Sequence, residues 1–89
     1  VRAVEISEAQ QLIRRAYYER DSRRGLYATF TWLVEEVGEL ANALLEGDRD
    51  NMEEEVADVF AWLLSVANLL GIDVEKAFKK KYVERGPPP

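Results

Sequence analysis

Three features predict an all-α fold: a four-helix bundle-like protomer with a long central helical hairpin, completed by oligomerisation. Apolar residues recur at spacings of three and four along each long segment, no stretch alternates as a strand would, and Gly or polar stops divide the chain into four helical runs. A third run that is apolar on nearly every side adds the oligomer, because such a helix needs cover all round.

The first helix is expected to open on a capping box of Ser7 with Gln10 and to run to about Ser22, with Ala9, Leu12, Ile13, Ala16 and Tyr17 on its apolar face. Residues 21–25, Asp-Ser-Arg-Arg-Gly, read as a polar stop that leaves Arg23 and Arg24 in a solvated loop. A second helix is expected from about Thr29 to Glu46, ended by Gly47 as a left-handed cap. On a helical wheel Phe30, Leu33, Val34, Val37, Leu40, Ala41, Leu44 and Leu45 share about half the circumference, and Glu35, Glu36, Glu39 and Glu46 take the other arc. Asp50 with Glu53 reads as the capping box of a third helix that stops at Gly71. Asp73 caps a short fourth helix ending near Arg85, where Gly86 and three prolines prevent continuation. Residues 1–89 read as a single domain with a Pro-rich tail at 86–89.

Composition narrows the chemistry. Of 89 residues 47% are hydrophobic, generous for a chain too short to bury a large core unaided. Without cysteine there is no disulfide or thiolate chemistry, and without histidine there is no Ser-His-Asp or Cys-His nucleophile and no imidazole-based zinc site. Metal binding is left to hard oxygen ligands, which suit magnesium, manganese or calcium. A net charge of −5 argues against polymeric nucleic acid as a partner. The longest nearly uncharged run, residues 59–72, is shorter than a membrane span. With no charged-then-apolar leader at its start, the expectation is a soluble, cytoplasmic chain.

Four carboxylates stand symmetrically about Gly47. Glu36 and Glu39 lie eleven and eight residues before it, and Glu55 and Asp58 lie eight and eleven after it. Folding the two helices back at Gly47 is expected to set Glu39 level with Glu55 and Glu36 level with Asp58, each pair sharing one helix face. Acids in a first helical turn complement the helix dipole, which is enough to account for Glu53, Glu54 and Glu55. Asp58 has no such account, since it is the one charge in an apolar stretch of fourteen residues. A carboxylate there needs a partner. No Lys or Arg lies in either helical run, so a divalent cation is the expected partner. Four or five acids are too many for one magnesium, which keeps most of its waters. They suit two or more ions bridging a polyphosphate.

These residues carry a resemblance. Glu35-Glu36-Val37-Gly38-Glu39-Leu40, followed by Glu55-Val56-Ala57-Asp58, resembles the EE-x-x-E…E-x-x-D signature of MazG-like nucleotide pyrophosphohydrolases of the all-α NTP pyrophosphatase superfamily. Residues 32–40, 57–64 and 71–78, with Lys81 and Tyr82, extend the similarity over about residues 8 to 85. The resemblance implies an oligomer, a dimer or a dimer of dimers. It also implies Mg2+, with Mn2+ as a possible substitute, and hydrolysis of nucleoside triphosphates at the α–β bond to a monophosphate and pyrophosphate. Carried over by motif position, Glu36, Glu39, Glu55 and Asp58 are the metal ligands, and Glu35 helps hold a further ion or orients the attacking water. Lys81 matches a late lysine that touches substrate phosphates. Arg85 stands where the family often carries Asn, a departure at the end of the chain that contacts phosphate or sugar. Trp62, one turn after Asp58, and Trp32, one turn before Glu36, are candidates to border the base. With no histidine, a carboxylate or metal-bound hydroxide must act as base. Two rival readings remain: a phosphoribosyl-ATP pyrophosphohydrolase-like enzyme, against which the missing His counts, and a non-catalytic helical oligomerisation or interaction module.

Overall fold

The computed structural model describes residues 2–89 and contains no strand among them. Helix α1 spans Ile6–Arg24, α2 Leu26–Glu46, α3 Arg49–Leu70 and α4 Val74–Phe78, the last continuing as a wider π-helical segment, Lys79–Glu84. The all-α expectation is met. No single described helix is long and apolar enough to cross a membrane.

Glycine sets both tight reversals. Gly47 closes α2 at φ 71°, ψ 22°, and Gly71 closes α3 at φ 68°, ψ 27°, both in the left-handed region that a side chain disfavours. With only Gly47 and Asp48 between them, α2 and α3 fold back on one another and form the most extensive helix pair of the chain. Helix α1 then packs chiefly on α3 and more lightly on α2 and α4.

Two of the helix N-caps differ from expectation, and at α1 the difference has a tertiary cause. At α1 the N-cap position belongs to Glu5, whose N–H donates to Glu8 at 3.3 Å. The predicted pair, Ser7 and Gln10, is used elsewhere. The Ser7 N–H donates to Glu75 of α4 at 3.1 Å, and the Gln10 amide donates to Asn68 Oδ1 at 3.0 Å and to the Ile72 carbonyl at 2.7 Å. Gln10 Oε1 also accepts from the Val74 N–H at 2.9 Å. One side chain therefore ties α1 to the corner between α3 and α4 and satisfies the buried Asn68. At α3 the cap is Asp48, accepting from the Asn51 N–H at 3.2 Å, and not Asp50. At α4 the cap is Asp73 as expected, accepting from the Lys76 N–H at 3.0 Å.

The largest departure lies between α1 and α2. The predicted loop at residues 21–25 is helical through Arg24, and α2 begins three residues before Thr29. Gly25 alone makes the break, at φ 94°, ψ 162°. Its carbonyl accepts both the N–H and the hydroxyl of Thr29, at 3.0 and 2.8 Å, and Thr29 is fully buried. Arg24 is not in a solvated loop: it pairs with the buried Asp21 at 2.9 Å.

The core of the chain is small and sits where the three long helices meet. It consists of Leu33 and Ala43 of α2 with Leu64, Val66 and Ala67 of α3, and residues 64–68 of α3 form a continuous buried belt. Most of the apolar arc of α2 lies open, with Phe30, Val34, Val37, Leu44 and Leu45 all exposed. On α3, Val56, Phe60 and Leu63 are exposed as well. The helix that reads as apolar all round is thus enclosed by its own chain over only about one turn and a half.

Candidate active site

The fold-back of α3 on α2 brings carboxylates together midway along the hairpin. Ligand oxygens of Glu36, Glu55 and Asp58 lie within 4.8 Å of one another, with Glu36 and Glu55 partly buried and Asp58 exposed. Two residues, Gly47 and Asp48, make the turn. Glu36 meets both Glu55 and Asp58, and Glu39 stays outside this compact trio, exposed, with its side chain against Glu35. The expected pair of Glu36 with Asp58 lies within this cluster, which Glu55 joins.

The electrostatics of the trio are those of charges held together without compensation. Burial, then the adjoining Glu55 carboxyl, then the Asp58 and Glu35 charges push the Glu36 pKa up to about 7. Glu35 is raised too, by partial loss of water and then by the charge and hydrogen bond of Glu39. Glu55 Oε2 is buried and has no hydrogen-bond partner among the described residues. A buried carboxylate oxygen without a donor is costly, so the trio is complete only with something positive against that oxygen. Three hard oxygens with one orphaned lone pair fit a divalent cation such as magnesium or manganese, and do not fit a soft or imidazole-seeking metal.

Beside Asp58, side chains from three helices make an aromatic and basic wall. Trp32 of α2 and Trp62 of α3 stack at 6.4 Å between ring centroids, inclined at 25°. Trp32 is half exposed and Trp62 partly buried. The Arg24 guanidinium lies 5.0 Å from the Trp62 ring centroid and is also ion-paired to Asp21. A cleft of about 150 Å³ between α1 and α3 is lined by Tyr17, Arg20, Asp21, Asp58, Ala61, Trp62 and Ser65. Asp58 belongs to both features and joins the trio to the cleft.

The predicted site residues therefore fall into three groups. Glu36, Glu55 and Asp58 converge, with Glu35 coupled to them through charge. Trp32 and Trp62 lie together next to the trio. Lys81 and Arg85 are exposed near the C-terminal end and line neither the trio nor the cleft, and the Lys81 ammonium lies 5.3 Å from the Tyr82 ring centroid. The sequence reading does not include among its site residues Arg20 and Asp21, which line this cleft, or Arg24, which is ion-paired to Asp21. The three-residue spacing of Asp21 and Arg24, which puts them on one helix face, is the signal that could have found the pair.

Residues 24–88 match the family model of the MazG nucleotide pyrophosphohydrolase domain. No curated protein matches the chain.

Proposed function

Since the chain belongs to the MazG nucleotide pyrophosphohydrolase family, we propose that it hydrolyses nucleoside or deoxynucleoside triphosphates at the α–β bond, in a Mg2+-dependent reaction that yields a monophosphate and pyrophosphate and serves to clear nucleotides from the pool. The observation that carries this reading is the acid trio, with its orphaned Glu55 oxygen opening beside a cleft with aromatic and basic walls.

Glu36, Glu55 and Asp58 are the residues that would hold the cation, and Glu39, one turn along α2 from Glu36, would serve a second ion. A magnesium ion held there would supply positive charge for the triphosphate oxygens and would make water a better nucleophile. The chain's own contribution is to place and discharge groups. Glu36, whose pKa burial and its neighbours push up to about 7, would be ionised wherever a cation is held against it. Glu35 keeps a carboxyl of raised basicity next to the cluster and takes the proton of the attacking water, a role open to a carboxylate because the chain has no histidine. Trp32 and Trp62 border the base and keep that side of the site dry. Lys81 and Arg85, both on the C-terminal segment, reach phosphates only if the assembled protein brings that segment over a site, and here a second protomer enters the proposal.

Exposed apolar surface supports that assembly. An open groove of about 580 Å³ along the hairpin is lined by Leu40, Leu44, Met52, Val56, Ala57 and Phe60 together with the charged Arg49 and Glu53. Paired about a two-fold axis, one copy's apolar residues cover the other's, and the opposite charges are self-complementary. A surface of this kind is also what an interaction module without catalysis would carry, so activity and assembly need separate tests. Asp58→Ala removes the residue shared by trio and cleft. It is expected to abolish turnover with helicity retained by circular dichroism, and a fully active variant would sink the assignment.

A further inference from the structure

The cleft between α1 and α3 has a polar group that the hydrolytic reading leaves unused. Asp21 is 3% exposed, yet it forms part of the cleft wall. Its Oδ1 accepts from Arg24 at 2.9 Å, and its Oδ2 accepts from no donor among the described residues and is not sealed from solvent. A carboxylate oxygen that is open to solvent in the wall of a cleft has acceptor capacity for whatever enters it. Tyr17 and Trp62 give the cleft aromatic walls, and the buried Ser65 adds a hydroxyl. Because Asp58 belongs to trio and cleft alike, a nucleotide with its phosphates at the trio has its remaining part next to this wall.

We propose that this cleft receives the base and that Asp21 is its specificity-determining residue, selecting a pyrimidine with an exocyclic amino group, a cytosine-type base, over the keto counterpart. The proposal rests on the nucleotide-hydrolase reading above. An ionised carboxylate accepts hydrogen bonds and cannot donate one. An amino group satisfies it, whereas the 4-keto oxygen of uracil or thymine sets lone pair against lone pair. Size points the same way, since a cavity of about 150 Å³ accommodates a single six-membered ring. Arg24 occupies Oδ1 and leans on Trp62, so it fixes the carboxylate and leaves Oδ2 as the reading atom.

The test is the ratio of kcat/KM for CTP or dCTP to that for UTP or dUTP, in the wild-type chain and in Asp21→Asn. A charge-assisted hydrogen bond inside a partly closed cleft is expected to give a wild-type ratio on the order of ten- to a hundredfold. Asparagine can turn its N–H2 toward a keto oxygen, so the ratio is expected to collapse toward one or to invert. The ratio is independent of the folded fraction, and a merely structural Asp21 would lower both rates together and leave it unchanged. A wild-type ratio near one, or a ratio that survives Asp21→Asn, overturns the proposal and leaves the hydrolase reading standing. If no nucleotide is hydrolysed, it is the hydrolase reading that fails. Calorimetric titration with CMP and UMP then decides the base pocket, tighter CMP binding that Asp21→Asn abolishes supporting it and equal affinities overturning it.

Discussion

Replacing Glu55 with glutamine separates a cation site from a cluster of surface acids. In the metal-free chain the ligand oxygens of Glu36, Glu55 and Asp58 lie within 4.8 Å of one another. Two ionised members at that distance repel by about 3.5 kcal/mol at an effective dielectric near 20. Water screens the pair with the exposed Asp58, and the Glu36 proton relieves part of the other near neutral pH. What survives is about 1–2 kcal/mol of destabilisation at pH 8. Glu55→Gln keeps the side-chain shape, removes the shared charge, and turns an orphaned acceptor into an N–H that can donate to Glu36. In a thermal melt with chelator at pH 8 the variant should gain about 4–8 °C per kcal/mol relieved. Magnesium at a hundred times its dissociation constant should stabilise the wild type by about 2.7 kcal/mol and should do little for the variant. A variant that melts below the wild type in chelator, and still gains the full magnesium shift, would refute the reasoning and make Glu55 a structural acid.

Three further outcomes follow from particular contacts. Glu36 has an ordinary value of 4.5 and a folded value of about 7, so the native chain binds more protons than the unfolded chain between those limits. Stability contributed by this group therefore falls as pH rises through that window and levels off above it, and melts in chelator at pH 5 and 8 should show it, a flat profile counting against the cluster. Gly47→Ala meets no atom within 4 Å, so its cost is backbone strain at φ 71°, about 1 kcal/mol, read as a lowered melting temperature. Gln10→Ala deletes three bonds to the corner between α3 and α4 and leaves the buried Asn68 short of a partner, a loss of about 2–3 kcal/mol that should lower the denaturant midpoint without changing the slope.

What could be read from the sequence was whatever a local rule decides. Gly47 and Gly71 are legible stops because few other residues accept the left-handed conformation. Asp58 stands out because a lone acid in an apolar run has no local account, and it lies in the trio. Helix starts were harder, because Ser7, Asp48 and Asp50 are all acceptable caps by type. The choice is made at α1 by the distant partners Glu75 and Asn68, and at α3 by where the turn after Gly47 ends, which leaves Asp48 to accept from Asn51. Arg24 was misread for the same reason. Its place depends on Trp62, 38 residues away, and on a buried Asp21 that composition marks as a loop residue. Which acids close up around Glu36 is settled by how α2 and α3 pack side by side, and a spacing argument about Gly47 does not resolve that.

The most direct measurement is product analysis after incubation of the protein with a panel of nucleoside triphosphates and magnesium. Monophosphate and pyrophosphate, both lost on chelation, are the predicted products. Diphosphate and phosphate would contradict the assignment of the bond, and no product from any nucleotide, with magnesium binding confirmed, would contradict catalysis itself.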